Sequence, residues 1–368
     1  MQFSAIRYLK YFDWVSFSLI IAIASIGLLY VFSATYNPET PYSIFFKKQF
    51  FGIISGIVIY IICSAIDYRR AIIWGYSGFI AVIALLIITK IKGTVGMGAQ
   101  RWIDLAFIRV QPSELAKLLF PAFATYYCCI KRDLLHGQWR EFLPLLFPLL
   151  IATFLVLKQP DLGTAIVILC AGLLILWIAG LSNRFFLYSF AFLLFVAPLL
   201  WCTLKPYQKN RVAVFLGQGE ARKERYQIEQ SKIAIGSGGF FGKGFLRGTQ
   251  NSLHFIPEGR TDFIFAVLCE ELGFLGAIVL LLLYLLLFFR LWLLITTIRP
   301  PTPRLFAAGL IFPITLATLI NICMVLGLLP IVGIPLPLMS YGLSQTWTTF
   351  ASLGLFNSII IRRFYING

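Results

Sequence analysis

Ten apolar runs divide this chain, at residues 14–34, 49–66, 71–90, 112–130, 142–158, 162–181, 185–204, 263–290, 305–328 and 339–360. About 20 helical residues span the hydrocarbon of a bilayer, so each run is long enough to cross upright or tilted. Backbone in lipid must satisfy its own hydrogen bonds, and such runs therefore fold as helices. Composition agrees. Of 368 residues 59% are hydrophobic and 12% charged, about half the charged share of a soluble domain. The expected fold class is an all-α polytopic membrane protein with about ten transmembrane helices, one domain over 1–368, and no internal repeat. Pro144 and Pro148 predict a fifth helix that bends or starts late, and Pro198 predicts a break in the seventh. The first run follows Arg7 and Lys10 but lacks a small-residue exit, so it reads as an anchor helix and not a cleaved signal.

The net charge of +16 would suggest nucleic acid in a soluble chain. Here it reads as cytoplasmic-loop bias and contact with anionic headgroups, with a smaller share left for an anionic substrate. Lys and Arg crowd alternate ends of the runs (Arg7, Lys10, Arg69, Arg70, Lys131, Arg132, Arg362 and Arg363 among them). That bias puts both termini in the cytoplasm. Two extracytoplasmic loops follow from it, a small one at 91–111 and a large one at 205–262 between helices 7 and 8. The seven cysteines lie in apolar runs without CxxC spacing and read as buried thiols. The two histidines, His136 and His254, are too far apart in sequence to suggest a zinc cluster.

Tyr226 to Gly273 is the most polar and least periodic stretch, rich in glycine and spaced cations, and it ends where an apolar run begins. Polar groups are costly at a hydrocarbon boundary, so chemistry is expected there. Only fifteen acids occur. Asp13, Asp67, Asp133 and Glu141 read as solvated inner-end charges, and Glu39, Glu220, Glu224 and Glu229 as wet outer ones. Among the rest, Glu114, Asp161, Asp262 and the Glu270–Glu271 pair are the groups to weigh. Asp262 follows a Gly/Pro turn and suits either a helix N-cap or a general base acting on a sugar hydroxyl. Glu114 and Lys117 share a helix face at i,i+3 spacing and read as an ion pair or as the charged wall of a cavity. Asp161 opens the sixth run after Pro160, where a helix dipole favours negative charge. Glu270 and Glu271 read as cavity or packing polar groups. GSGGFFGKG fails the Walker pattern, since Gly follows Lys243 where Ser or Thr is needed. Its amides could still hold a pyrophosphate, or the stretch could be a hinge. Phe240, Phe241 and Phe245 suit the headgroup layer, and Trp102 suits either an interfacial anchor or a sugar platform.

The run QSKIAIGSGGFFGKGFLRGTQNSLHFIPEGRTDFIFAVLCEELG resembles the large extracellular loop of the SEDS family, the shape, elongation, division and sporulation proteins. AQRWIDL…QPSELAK, KQPDLGTA and NICMVLGLLPIVGIPLPLMSYG match further family signatures in order, so the resemblance covers nearly the whole chain. SKIAIGSGG and the GTQ at 248–250 are more similar to the rod-shape branch than to the division branch. The resemblance implies a peptidoglycan glycosyltransferase that polymerises lipid II during elongation, releasing undecaprenyl pyrophosphate, with a class B penicillin-binding transpeptidase and other elongation-complex membrane proteins as partners. It implies a catalytic Asp262 and substrate-binding roles for Trp102, Glu114, Lys117 and Asp161. It also implies a divalent cation, Mg2+ or Mn2+, and no organic cofactor. Arg101, Lys117, Arg211, Lys232 and Lys243 are the candidate cations for the leaving group. Two positions depart from the family pattern: Leu343 stands where glycine is common, and Arg260 where histidine is common. The rival readings are a lipid II flippase, with Glu114, Lys117 and Asp161 lining a passage, and a non-catalytic scaffold for the transpeptidase.

Overall fold

The computed structural model describes residues 5–96, 99–105, 108–130, 138–203, 209, 213–214, 222–253 and 255–363. A short helix α1 (Ala5–Tyr11) leads into α2 (Trp14–Ala34), α3 (Ile44–Ala65) and α4 (Tyr68–Lys92). Three short strands follow, β1 (Thr94–Gly96), β2 (Ala99–Leu105) and β3 (Ile108–Val110). Next come α5 (Pro112–Ile130), α6 (Leu143–Lys158), α7 (Leu162–Ile178) and α8 (Asn183–Thr203). Then α9 (Arg222–Ser237) and the single turn α10 (Thr249–Ser252) precede α11 (Ile264–Thr296), α12 (Pro301–Val325) and α13 (Leu343–Arg362).

Each apolar run holds a helix. Six segments among the described residues are long and apolar enough to cross a membrane: α2, α3, α4, Trp139–Lys158, α11 and α12. Short polar side chains start several of them, as expected at N-caps. Asp13, Ser43, Asp67 and Asp161 accept from the amides of Ser16, Phe46, Arg69 and Thr164. α6 begins at Leu143 after a 3-10 turn and carries Pro144 in its first turn, where the missing N–H has no helical partner to lose.

Four expectations change. The 91–111 loop folds as an antiparallel meander in the order β1-β2-β3, so the chain is not purely helical. α8 runs unbroken through Pro198, because one proline removes a single hydrogen bond without ending a helix in an apolar setting. Cys129 and Cys202 are exposed on the bundle surface. Asp13 is not solvated but 7% exposed, and it pairs with Arg290 at 2.5 Å. A charge drawn into a bundle end needs such a partner.

α4 packs along α5, α13 along α3, α2 along α11, and α12 against α5, α7 and α11. Two apolar cores result, one centred on α11–α13 with α2, the other between α4, α5, α6 and α7. The outward side chains of α8, from Leu187 to Phe195, are exposed, as are many on α3 and α11. A lipid-facing surface has that composition.

Candidate active site

Asp262 sits in the turn just before α11. The amides of Thr261 and Phe263 both bond the carbonyl of Glu258, which closes the turn. The helix cap is Phe263, without a side-chain bond, so Asp262 is not the N-cap its spacing allowed. Asp262 is partly exposed. Its Oδ2 faces Gly333, where an added β-carbon would stand 3.7 Å away.

The segment between α12 and α13 builds the seat. Asn321, fully buried on α12, donates from Nδ2 to the carbonyls of Asp262 at 2.8 Å and Ile334 at 2.7 Å. Ser340 donates to the Thr261 carbonyl at 2.5 Å and accepts from the Leu336 amide at 2.8 Å. The Tyr341 amide reaches the Arg260 carbonyl at 3.0 Å. Gln49 of α3 clamps the far side, donating to Ser340 O and accepting from the Gly342 amide. Glu258 (φ 58°) and Leu338 (φ 68°) sit in the left-handed region within this seat. Such backbone costs about 1–3 kcal/mol per residue and tends to gather at functional sites.

Beyond this segment a shallow open cleft is walled by α5, α12 and α13. Glu114 and Lys117 lie in it and pair at 2.7 Å. Thr348 donates to the other Glu114 oxygen at 3.2 Å. Gln345, Thr348, Thr349 and Ser352 form the α13 wall, and Pro337 borders the cleft. Gln345 donates to the Pro335 carbonyl at 2.9 Å, so one peptide segment touches both the Asp262 seat and the cleft.

Arg101 and Asp161 come together. Asp161, 3% exposed, pairs with Arg101 at 3.4 Å. It accepts from Gln111 at 2.8 Å and from the Thr164 amide at 3.1 Å. The pair ties β2 and the start of α5 to α7. Trp102, next along β2, leaves the opposite face by strand alternation and remains partly exposed.

Lys243 lies elsewhere. It pairs with the buried Glu270 at 2.7 Å and donates to Thr249 at 2.7 Å. The glycine stretch lies against α11, which is broken at Gly273 (φ 67°). Amides of Lys243 and Gly244 bond the carbonyls of Glu270 and Glu271, and those of Phe274 and Leu275 bond Gly239 and Phe240. A β-carbon on Gly242 would collide with the Glu271 carbonyl. These amides serve packing, a use the phosphate-loop comparison did not foresee. Glu271 accepts from Ser33 of α2. Lys232 is exposed on α9, its side chain crossing Gly327 at the head of the α12–α13 segment. Arg211 lies outside the described residues.

Asn321, Gln49, Ser340, Gln345 and Thr348 were not singled out in the sequence. The α13 residues had a signal, since 345, 348, 349 and 352 repeat at helical spacing in an apolar run. The two departures find places. Leu343 packs its side chain against Gly52 of α3. The Arg260 guanidinium lies 3.8 Å from the centroid of Phe45.

Residues 13–363 match the model of the FtsW/RodA/SpoVE family of cell cycle proteins. Over 322 residues the chain is 40% identical to the peptidoglycan glycosyltransferase MrdB of Escherichia coli strain K12, covering 86% of each. It superposes with a TM-score of 0.80 on a chain solved in a study of the structural coordination of polymerization and crosslinking by a peptidoglycan synthase complex, at 29% identity over 96% of this chain and 98% of that one. The crystal structure of the Thermus thermophilus rod shape determining protein RodA gives a TM-score of 0.69 at 28% identity, with the same coverage.

Proposed function

The chain belongs to the FtsW/RodA/SpoVE family of cell cycle proteins, and on that footing we propose that it polymerises lipid II into glycan strands, with Asp262 as general base. It is a glycosyltransferase of cell-wall synthesis and an inner-membrane protein. Ten spans, cytoplasmic termini and an outward-facing 205–262 segment complete the reading. The positive-inside bias supports that sidedness.

In the proposed step the acceptor GlcNAc 4-hydroxyl loses its proton to Asp262. Its oxygen forms a bond to the anomeric carbon of lipid-linked MurNAc. The bond from that carbon to the phosphate breaks, and its electron pair leaves with undecaprenyl pyrophosphate. A positioned base contributes about 10²–10⁴-fold. The observation that carries the assignment is the seat: a partly exposed aspartate whose carboxylate faces a residue without a side chain, on backbone clamped by Asn321 and Ser340. Lys117 and Lys232 are assigned to the negative charge of the lipid carrier, Trp102 to a sugar face, and Glu114 to setting Lys117. Arg101, Asp161 and Lys243 are assigned to holding the frame, because the Arg101–Asp161 pair ties β2 to α7 and the Lys243–Glu270 pair ties the glycine stretch to α11. Among the described residues no three His, Cys, Asp or Glu side chains converge. The divalent cation that the resemblance implies needs no such cluster, since magnesium keeps several waters and binds substrate phosphates. A class B penicillin-binding transpeptidase is the proposed partner. The relative solved in a synthase complex supports an assembly of that kind.

Purified protein with its transpeptidase partner, given labelled lipid II in detergent, is the test. Wild type makes long strands and Asp262→Asn makes none. Equal polymer from Asp262→Asn would exclude the base. A flippase would leave lipid II unpolymerised in detergent yet move it across sealed vesicles.

A further inference from the structure

We propose that Arg260 binds the phosphoryl oxygens of the polyprenyl pyrophosphate that departs during transfer. The proposal rests on the glycosyltransferase reading and adds a residue to it.

Arg260 shares the turn of Asp262, and its backbone is fixed. Its carbonyl accepts from Tyr341 at 3.0 Å, and the next carbonyl accepts from Ser340 at 2.5 Å. The side chain is supported without being neutralised. Its guanidinium lies 3.8 Å from the Phe45 centroid, and Tyr341 meets Phe45 edge-on at 5.4 Å. Such stacking orients a guanidinium and leaves its in-plane donors available. Arg101, Arg109 and Arg290 each have a carboxylate partner. Arg260 forms no ion pair among the described residues, and its Nε is buried without a hydrogen-bond partner. A buried unmatched donor is costly, and an anion would satisfy it.

The surroundings favour a negative ligand. Burial raises the pKa of the Tyr341 hydroxyl, while the charges of Arg260 and Arg109 act to lower it. Glu258 and Asp262 are the other charged groups of the turn; Glu258 accepts from the Thr261 hydroxyl at 3.1 Å.

The chemistry selects phosphate. A planar fork of donors fits phosphate oxygens in a bidentate way. In an inverting transfer the attacking and departing oxygens flank one carbon, the attacker arriving from about 3–3.5 Å. A base and a pyrophosphate-binding cation must then stand close together, as residues 260 and 262 of one clamped turn do. Arginine also keeps its charge at any working pH, which histidine does not.

The test measures undecaprenyl pyrophosphate binding to the full chain with its transpeptidase in detergent, beside lipid II polymerisation. Arg260→Gln should weaken binding about tenfold or more, and Arg260→Lys should recover part of it. Arg260→His should lose affinity relative to wild type as pH rises through the imidazole pKa of about 6.5, read as the ratio of the two profiles because the pyrophosphate itself ionises at about pH 6. Phe45→Leu keeps the charge and should lose less than Arg260→Gln. Unchanged binding in Arg260→Gln overturns the proposal. So does a pH-independent ratio of Arg260→His to wild-type affinity, or an equal loss in Phe45→Leu, which would mark a packing role. Asp262→Asn should still bind the pyrophosphate lipid without polymerising. If that variant polymerises, the general-base reading fails whatever Arg260 does.

Discussion

Asn321 shows how one buried amide sets a site. It donates to the carbonyls of Asp262 and Ile334 and so joins α12, the turn before α11 and the α12–α13 segment. Asn321→Leu would strand both carbonyls at about 1–3 kcal/mol each. Lower thermal stability and lower polymerisation together are expected; unchanged values for both would show that the seat does not depend on this bond. Thr348 plays a lesser part. It is shared between Glu114 and the carbonyls of Ser344 and Gln345. Thr348→Val should lower lipid II turnover severalfold with little loss of stability, and Thr348→Ser should retain it, as judged by strand yield and melting temperature. Equal yields from all three proteins would remove Thr348 from the site.

At the level of elements, α11 is two helices joined at Gly273, with the glycine-rich strap serving as the hydrogen-bond partner of the break. Gly242 has φ 78° and abuts the Glu271 carbonyl. Gly242→Ala should therefore destabilise the chain by more than about 1 kcal/mol, read as a fall in thermal midpoint relative to a matched Gly236→Ala, which meets open space. Similar midpoints would mean the strap is not a packing element. Much of this architecture was legible in the sequence, because apolar runs of bilayer length admit few folds. α5 begins at Pro112 and ends at Ile130, as its hydropathy and N-terminal proline indicate. The meander was less legible, although AQRWIDL alternates, because seven residues beside long apolar runs read as loop. The partners of Lys243 and Asp13 were not legible at all. Glu270 lies 27 residues from Lys243 and Arg290 lies 277 from Asp13, separations at which local pattern carries no information.

For the whole molecule, the Asp13–Arg290 pair links the start of α2 to the far part of α11, and Asn357 of α13 accepts from the Asp13 amide at 3.2 Å. Asp13→Ala would leave the partly buried Arg290 unmatched and should lower the thermal midpoint, while Arg70→Ala, an exposed cation, should not. Sidedness is open to labelling in a cysteine-free background. Arg247→Cys should react with an impermeant thiol reagent from outside intact cells, and Thr297→Cys only after lysis; the reverse pattern would invert the topology. The most direct measurement is strand synthesis from lipid II by the purified complex carrying Asp262→Asn, with Asp262→Glu alongside. The account predicts no strands from the first and a reduced but measurable yield from the second; full-length strands from Asp262→Asn at the wild-type rate would contradict it.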